Sequence, residues 1–366
     1  TDWAATQRGQ VDLQAWIDDP NNAARNVGFV LQAGWCDIDL DGEDPLFQAS
    51  MLAGLDAAGV DTRLRFGRLS KGRASHVLVL LDDDDWTNFS ELKRSAPKEF
   101  RWRKSRYHAD IRAAPPAADG TQSARSARLV VMPGSIYPDD AAPTKPDPSV
   151  WWCQETPAAG ISDIITSTVR PCDFRSIVRG LAFGLILFFF RTVWIEGSRQ
   201  AAARVLTGWL NRLVSDCAAI ERNPHFASAV MCPLTSHSEA ESAVSLICRE
   251  TGDDDEKTRI RAYQDAVAKD ERGADARIPG WPALSTLLGD EAALALRRTL
   301  VPGTEIDMLL TLADRYLFDE SDAQYIDRDR LFTGGPYVFD PAAVALRHKG
   351  DTLRIVDEAE AAWREG

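Results

Sequence analysis

The fold of this chain turns on the run Trp35-Cys36-Asp37-Ile38-Asp39-Leu40-Asp41. Three carboxylates alternate with apolar residues, and alternation is the period of a β-strand, which sends every second side chain to one face. Residues two apart on a strand stand roughly 6.6 Å apart along its axis. Carboxylates at that spacing can grip divalent metals held about 4 Å apart. Like charges in one row repel unless cations lie between them. The run therefore predicts a metal site at the exit end of a buried strand, on Asp39 and Asp41, with Asp37 on the same face.

Working outward, residues 26–31 and 36–40 read as two adjacent strands, and 48–58 as a helix stopped by Gly59. Residues 63–66 and 76–81 read as strands, and 129–132 as a further strand ending at Pro133-Gly134. This is an α+β or α/β pattern. Prolines and small residues make 138–157 a loop. Long helical patterns then cover 174–192, 198–216, 238–250 and 254–268, and strand-like runs return at Tyr325-Ile326-Asp327 and Tyr337-Val338-Phe339.

A length of 366 residues predicts two or three domains. The net charge of -13 argues against general polyanion binding and leaves room for a local basic groove. Six cysteines without a CxxC pair read as reduced thiols of a cytoplasmic protein. No signal peptide is evident, and the apolar stretch 181–190 is too short to span a bilayer, so no membrane role is expected. It reads as a buried helix. The first residue is Thr1, and the expectation is an excised piece of a longer protein.

Three further segments carry chemistry. The first is Arg65-Phe66-Gly67-Arg68-Leu69-Ser70-Lys71-Gly72-Arg73-Ala74-Ser75-His76, where a cationic loop enters a strand. Arg68, Lys71 and Arg73 can neutralise a triphosphate, and Ser75 and His76 can donate hydrogen bonds to it. The alternative is a solvated basic turn with a core histidine. Gly67 and Gly72 have P-loop spacing, but Arg73-Ala74 replaces the required Lys-Ser/Thr, which excludes a Walker motif. The second is Tyr107-His108-Ala109-Asp110-Ile111-Arg112. Asp110 can supply a third carboxylate from a neighbouring strand; the alternative is an Asp-Arg surface pair of little energetic weight. In a regular strand Lys104, Arg106, His108, Asp110 and Arg112 share a face. The third is 93–107, where Lys93, Arg94, Lys98, Arg101, Arg103, Lys104 and Arg106 are interleaved with Phe100, Trp102 and Tyr107. Cations among rings suit a single nucleic-acid strand; the alternative is a basic strand whose aromatics enter the core.

The ordered set of Asp-x-Asp at a strand end, Gly-Arg…Ser-His, hydrophobic-Asp-x-Arg and a strand ending Pro133-Gly134-Ser135 resembles the primase-polymerase domain of the archaeo-eukaryotic primase superfamily. It is similar to the bifunctional primase-polymerases of phages and plasmids. The resemblance covers residues 20–150 and implies an RRM-like, mixed-sheet catalytic core. It implies that Asp39, Asp41 and Asp110, with Asp37 in the row, hold Mg2+ or Mn2+. It also implies that Arg68, Ser75 and His76, with Lys71 and Arg112, hold nucleotide phosphates. Asp39 and Asp41 are preferred over Asp37 because they precede Gly42 and fit the family spacing from Gly34.

Trp194-Ile195-Glu196-Gly197-Ser198-Arg199 and Gly252-Asp253-Asp254-Asp255-Glu256 with Arg259 resemble the all-α helical domain that follows such cores. Their structural alternatives are an N-cap at Ser198 and acids favouring a helix N-terminus. The expected organisation is a catalytic domain over 1–152, a linker over 153–175, a helical domain over 176–300 and an extension over 301–366 leading toward a helicase module. The implied function is template-directed nucleotidyl transfer that makes primers on single-stranded DNA from nucleoside triphosphates. It would serve replication of a phage, plasmid or other mobile element in a bacterial cell. Arg101, Arg103, Lys104 and Trp102 are the expected DNA contacts. The alternatives are a non-catalytic replication-initiation or scaffold protein of the same fold, a related transferase in repair or defence, and a calcium-binding module at Asp37, Asp39 and Asp41. The last has Gln48 where an EF-hand loop needs Glu.

Overall fold

Apolar residues alternate with the acids of Trp35–Gly42, and that segment is the second strand of the chain, β2. β1 (Gly28–Val30) precedes it. After it come α1 (Pro45–Ala57), β3 (Arg65–Arg68), β4 (His76–Leu80), the short helices α2 (Asp83–Thr87) and α3 (Phe89–Ser95), and β5 (Phe100–Trp102). β6 (Tyr107–Arg112), β7 (Leu129–Val131) and β8 (Val150–Trp152) complete this part. The helices α4 (Phe174–Arg191), α5 (Arg199–Arg222), α6 (His237–Thr251), α7 (Glu256–Glu271), α8 (Trp281–Leu288) and α9 (Asp290–Leu300) follow, then β9 (Tyr316–Asp319), β10 (Gln324–Asp327) and β11 (Val338–Phe339). The computed structural model describes residues 28–31, 34–42, 44–68, 75–96, 100–102, 107–113, 129–131, 150–152, 169–222, 231–271, 280–301, 316–319, 324–327 and 338–339.

Six strands form one sheet in the order β5-β6-β2-β4-β3-β8. Within it, β2-α1-β3-β4-(α2, α3)-β6 traces a β-α-β-β-α-β path with β2 inside, between β6 and β4. This is the split-βαβ arrangement. The class is α+β, as the sequence predicts. The mixed sheet expected is instead antiparallel at every described ladder. The reason is topological: the strands joined through helices, β2 with β3 and β4 with β6, run parallel but are never neighbours. β1 also departs from expectation. It pairs with β7 in a separate two-stranded ladder rather than beside β2.

The two faces of β2 differ. Cys36, Ile38 and Leu40 are buried, and α1 packs against the strand with Phe47, Met51 and Leu55 also buried. Gln48 donates its side-chain amide to the Leu40 carbonyl at 3.0 Å. α1 begins earlier than the sequence suggests, because the Asp44 carboxylate caps the Leu46 N–H and Pro45 fits the first turn.

α1 packs most closely on α4, which holds the apolar stretch 181–190 and is buried along nearly its whole length. Glycines permit that approach. A Cβ placed on Gly54 would stand 2.3 Å from the Gly180 carbonyl oxygen and from the Gly184 nitrogen. Among the described residues, no helix is long and apolar enough to cross a membrane. Residues Thr1–Leu300 form one compact unit. The junction between the expected domains 1–152 and 176–300 is thus a packed helix-on-helix joint, and most of the expected linker lies outside the described residues. The second unit, Val301–Gly366, contains the antiparallel strands β11-β10-β9.

Candidate metal centre

Register builds the site. Asp39 of β2 lies directly opposite His76 of β4 on one side and Asp110 of β6 on the other. Asp37 lies opposite Arg112, and Asp41 opposite His108. Directly opposed residues share a sheet face. Four carboxylates, two imidazoles and a guanidinium therefore meet on one face. Toward the start of β2 the same face turns apolar, where Trp35, Phe66 and Leu78 cluster with Leu31, Leu64 and Val130. Solvent access follows this gradient. Asp37 is fully buried and Asp39 is 4 % exposed, whereas the Asp110 side chain is 34 % exposed.

The buried end is held by His76. Its Nδ1 stands 3.1 and 3.2 Å from the two carboxylate oxygens of Asp37. Its ring stacks on Phe66 with centroids 5.1 Å apart. Burial disfavours the imidazolium, but the Asp37 hydrogen bond and the charges of Asp37 and Asp39 outweigh it and raise the His76 pKa. Burial also raises the Asp39 carboxyl above its ordinary value, against the opposing pull of His76 and Arg112. Arg112 pairs with Asp39 through Nη2 and reaches Asp110 through Nε at 3.4 Å. Burial works against the Arg112 charge, yet Asp39, Asp37 and Asp110 push its pKa up. Lys93 adds a second cation, 3.1 Å from Asp110, and donates to the Ile111 carbonyl.

One ligand atom each from Asp39, Asp41 and His108 lies within 4.8 Å of the other two. Donors on one small divalent ion stand up to roughly 4.2 Å apart, given bonds of about 2.1 Å. Small side-chain movements therefore suffice to close the set. His108 Nε2 is 3.6 Å from Asp41, and its buried Nδ1 has no hydrogen-bond partner among the described residues. An imidazole grouped with two carboxylates is a donor set that suits a divalent metal.

The expected ligands are thus sorted by their neighbours. Asp39 and Asp41 belong to the group. Asp110 lies opposite Asp39 as the strand pattern requires, but its carboxylate turns to Lys93 and Arg112. Asp37 is engaged by His76. His108 was not among the expected ligands; its signal was its place two residues from Asp110 on a regular strand.

Ser75 is buried one residue before β4, and its carbonyl accepts the Leu40 N–H at 2.6 Å. Arg68 ends β3, its backbone opposite Val150. Arg101 and Trp102 lie on β5, outermost in the sheet on that side, their backbones opposite His108 and Tyr107. Lys71, Arg103 and Lys104 lie outside the described residues. The calcium-loop alternative is corrected, because Asp37, Asp39 and Asp41 sit in an extended, doubly paired strand rather than a ligand loop. In the helical half the two quoted segments meet: Trp194 Nε1 and Arg259 Nε donate to Asp253 at 3.0 and 3.1 Å. The Ser198 hydroxyl turns back to the Val193 carbonyl at 2.7 Å.

No protein-family model matches this chain, and no curated protein or solved structure matches it.

Proposed function

We propose that this chain is a metal-dependent nucleotidyl transferase of the primase-polymerase type, which builds primers on a single-stranded DNA template. The observation that carries this reading is the register of β2, which sets Asp39 opposite both His76 and Asp110 inside a β-α-β-β-α-β sheet. That sheet order is compatible with the RRM-like core expected from the sequence. A surface acid cluster would not bury Asp39 or clamp a histidine between a carboxylate and a ring.

Asp39, Asp41 and His108 would hold the divalent ion. When bound, such an ion activates the primer 3′-hydroxyl and offsets charge on the phosphates, for which Mg2+ and Mn2+ are the proposed species. The remaining chemistry belongs to the chain. Attack of the 3′-hydroxyl on the α-phosphate forms one P–O bond and breaks another, releasing pyrophosphate. Such transfer depends on positioning and electrostatic stabilisation. His76, held at Nδ1 by Asp37, presents Nε2 as a fixed donor for a phosphate oxygen. Arg112 and Lys93 neutralise carboxylates and are placed to exchange them for triphosphate oxygens. Arg68 and Lys71 are the proposed outer phosphate contacts. The template would run along β5, which carries Arg101 and Trp102; Arg103 and Lys104, outside the described residues, are the further proposed contacts.

The test is primer synthesis on single-stranded DNA with ribo- and deoxynucleoside triphosphates. The double variant Asp39→Ala/Asp41→Ala should lose incorporation while keeping its circular-dichroism spectrum. Undiminished incorporation by that variant, or none by the unaltered chain with either nucleotide class and either ion, refutes the reading.

A further inference from the structure

Resting on that reading of the site, we infer that the base of the incoming nucleoside triphosphate stacks at Trp152, on the outermost strand of the sheet beyond His76.

The cross-strand register leads there. Asp110, Asp39, His76, Phe66 and Trp152 are directly opposed in succession across β6, β2, β4, β3 and β8. Directly opposed residues share a sheet face. One row therefore runs along the site face to the edge at β8. Its chemistry is divided, with carboxylates at one end, rings at the other and His76 between them. The His76 ring stacks on Phe66 with centroids 5.1 Å apart, so the row is continuous from β4 to β3.

Phe66 cannot itself receive a base. It is fully buried, lies against the His76 ring and belongs to the apolar cluster of Leu31, Leu64 and Val130. Trp152 is the next residue in the row, and β8 is the outermost strand on that side among the described residues.

A nucleotide held by its phosphates at His76 has two directions for its base. Toward β2 and β6 stand Asp39 and Asp110, which are engaged with Arg112 and Lys93 and offer a ring no apolar surface. Toward β3 and β8 the row is aromatic. Trp152 lies two strands from His76, about 10 Å at the usual strand spacing, within reach of one nucleotide. β5 and β8 stand five strand spacings apart, about 24 Å, which a short stretch of template crosses to meet that base. An aromatic ring serves all four bases, because every base has a π-face. Template-directed synthesis requires that tolerance.

The experiment is calorimetric titration of the full chain, in Mg2+, with ATP and with inorganic triphosphate. ATP should bind more tightly than inorganic triphosphate by about tenfold, the weight of one base stacked on a ring. Trp152→Ala should abolish that margin and leave the inorganic triphosphate affinity unchanged, which also reports an intact fold. Trp152→Phe should keep most of the margin. The inference is overturned by ATP binding no tighter than inorganic triphosphate, by a margin that survives Trp152→Ala or is lost equally in Trp152→Phe, or by equal weakening of both ligands in Trp152→Ala. Absence of binding by either ligand overturns it as well. The two readings fail separately. A margin that depends on Trp152, on a chain that incorporates no nucleotide, refutes the polymerase and leaves the base site. A chain that makes primers while its ATP affinity ignores Trp152 refutes the base site and leaves the polymerase.

Discussion

Replacing Gly54 by Ala tests the joint between the sheet and the helices. Gly54 sits on α1 where it crosses α4. An added Cβ would lie 2.3 Å from the Gly180 oxygen and the Gly184 nitrogen, and 2.7 Å from the Gly184 Cα. Ordinary non-bonded contact begins at roughly 3.4 Å, so the helices must separate by about 1 Å. The obstructing atoms are backbone and cannot rotate aside. α4 cannot retreat freely either, because Leu181, Leu185, Ile186 and Phe190 are fully buried. Overpacking of a close-packed core costs about 1–3 kcal/mol, and backbone contact places this site at the upper end. Better helix propensity returns at most about 1 kcal/mol. The net expectation is a loss of about 2 kcal/mol, or roughly 5 °C in Tm, read by urea and thermal unfolding under circular dichroism. Gly184→Ala should behave alike, since its Cβ would meet the Met51 Cα at 2.6 Å. The double variant should cost less than the sum, because one separation relieves both clashes. A Gly54→Ala midpoint equal to or above that of the parent would show that propensity governs and that the backbones do not touch.

The pH dependence follows from His76. Its raised pKa means that the fold binds this proton more tightly than the unfolded chain does. That stability is complete below the ordinary value of 6.5 and is lost as pH rises through the folded value. Asp39 acts in the same sense lower down, its raised carboxyl contributing most below 3.8. With chelator present, Tm should fall as pH rises above 6.5 and His76→Gln should flatten that fall; an equal slope in the variant refutes the assignment. For the template edge, charge removal at Arg101, Arg103 and Lys104 should weaken single-stranded DNA binding. It should also reduce the log–log salt slope by roughly 2, at about 0.7 per phosphate contact. Fluorescence anisotropy across a salt series measures this, and an unchanged slope counts against a template role for β5.

Much of this molecule was readable locally. The alternation of Asp37, Asp39 and Asp41 with Cys36, Ile38 and Leu40 set one acidic and one apolar face before any partner strand was known. The same local logic placed α4, α6 and α7 within three residues of their observed bounds, ended α5 six residues short of Arg222, and marked 181–190 as buried. Hydrophobic period depends only on neighbours along the chain, so it survives without a fold.

Partnership does not. That β1 joins β7, that β2 lies between β4 and β6, and that Gly54 touches Gly180 and Gly184 are long-range choices. The division of labour among the acids is of the same kind. A sequence ranks Asp110 above His108 because carboxylate is the commoner partner of a hard ion. Only the folded sheet brings Lys93 and Arg112 to Asp110 and leaves His108 beside Asp41. Residue order determined which side chains share a face. The tertiary structure decided which charges neutralise one another, because that competition depends on distances between strands far apart in the chain.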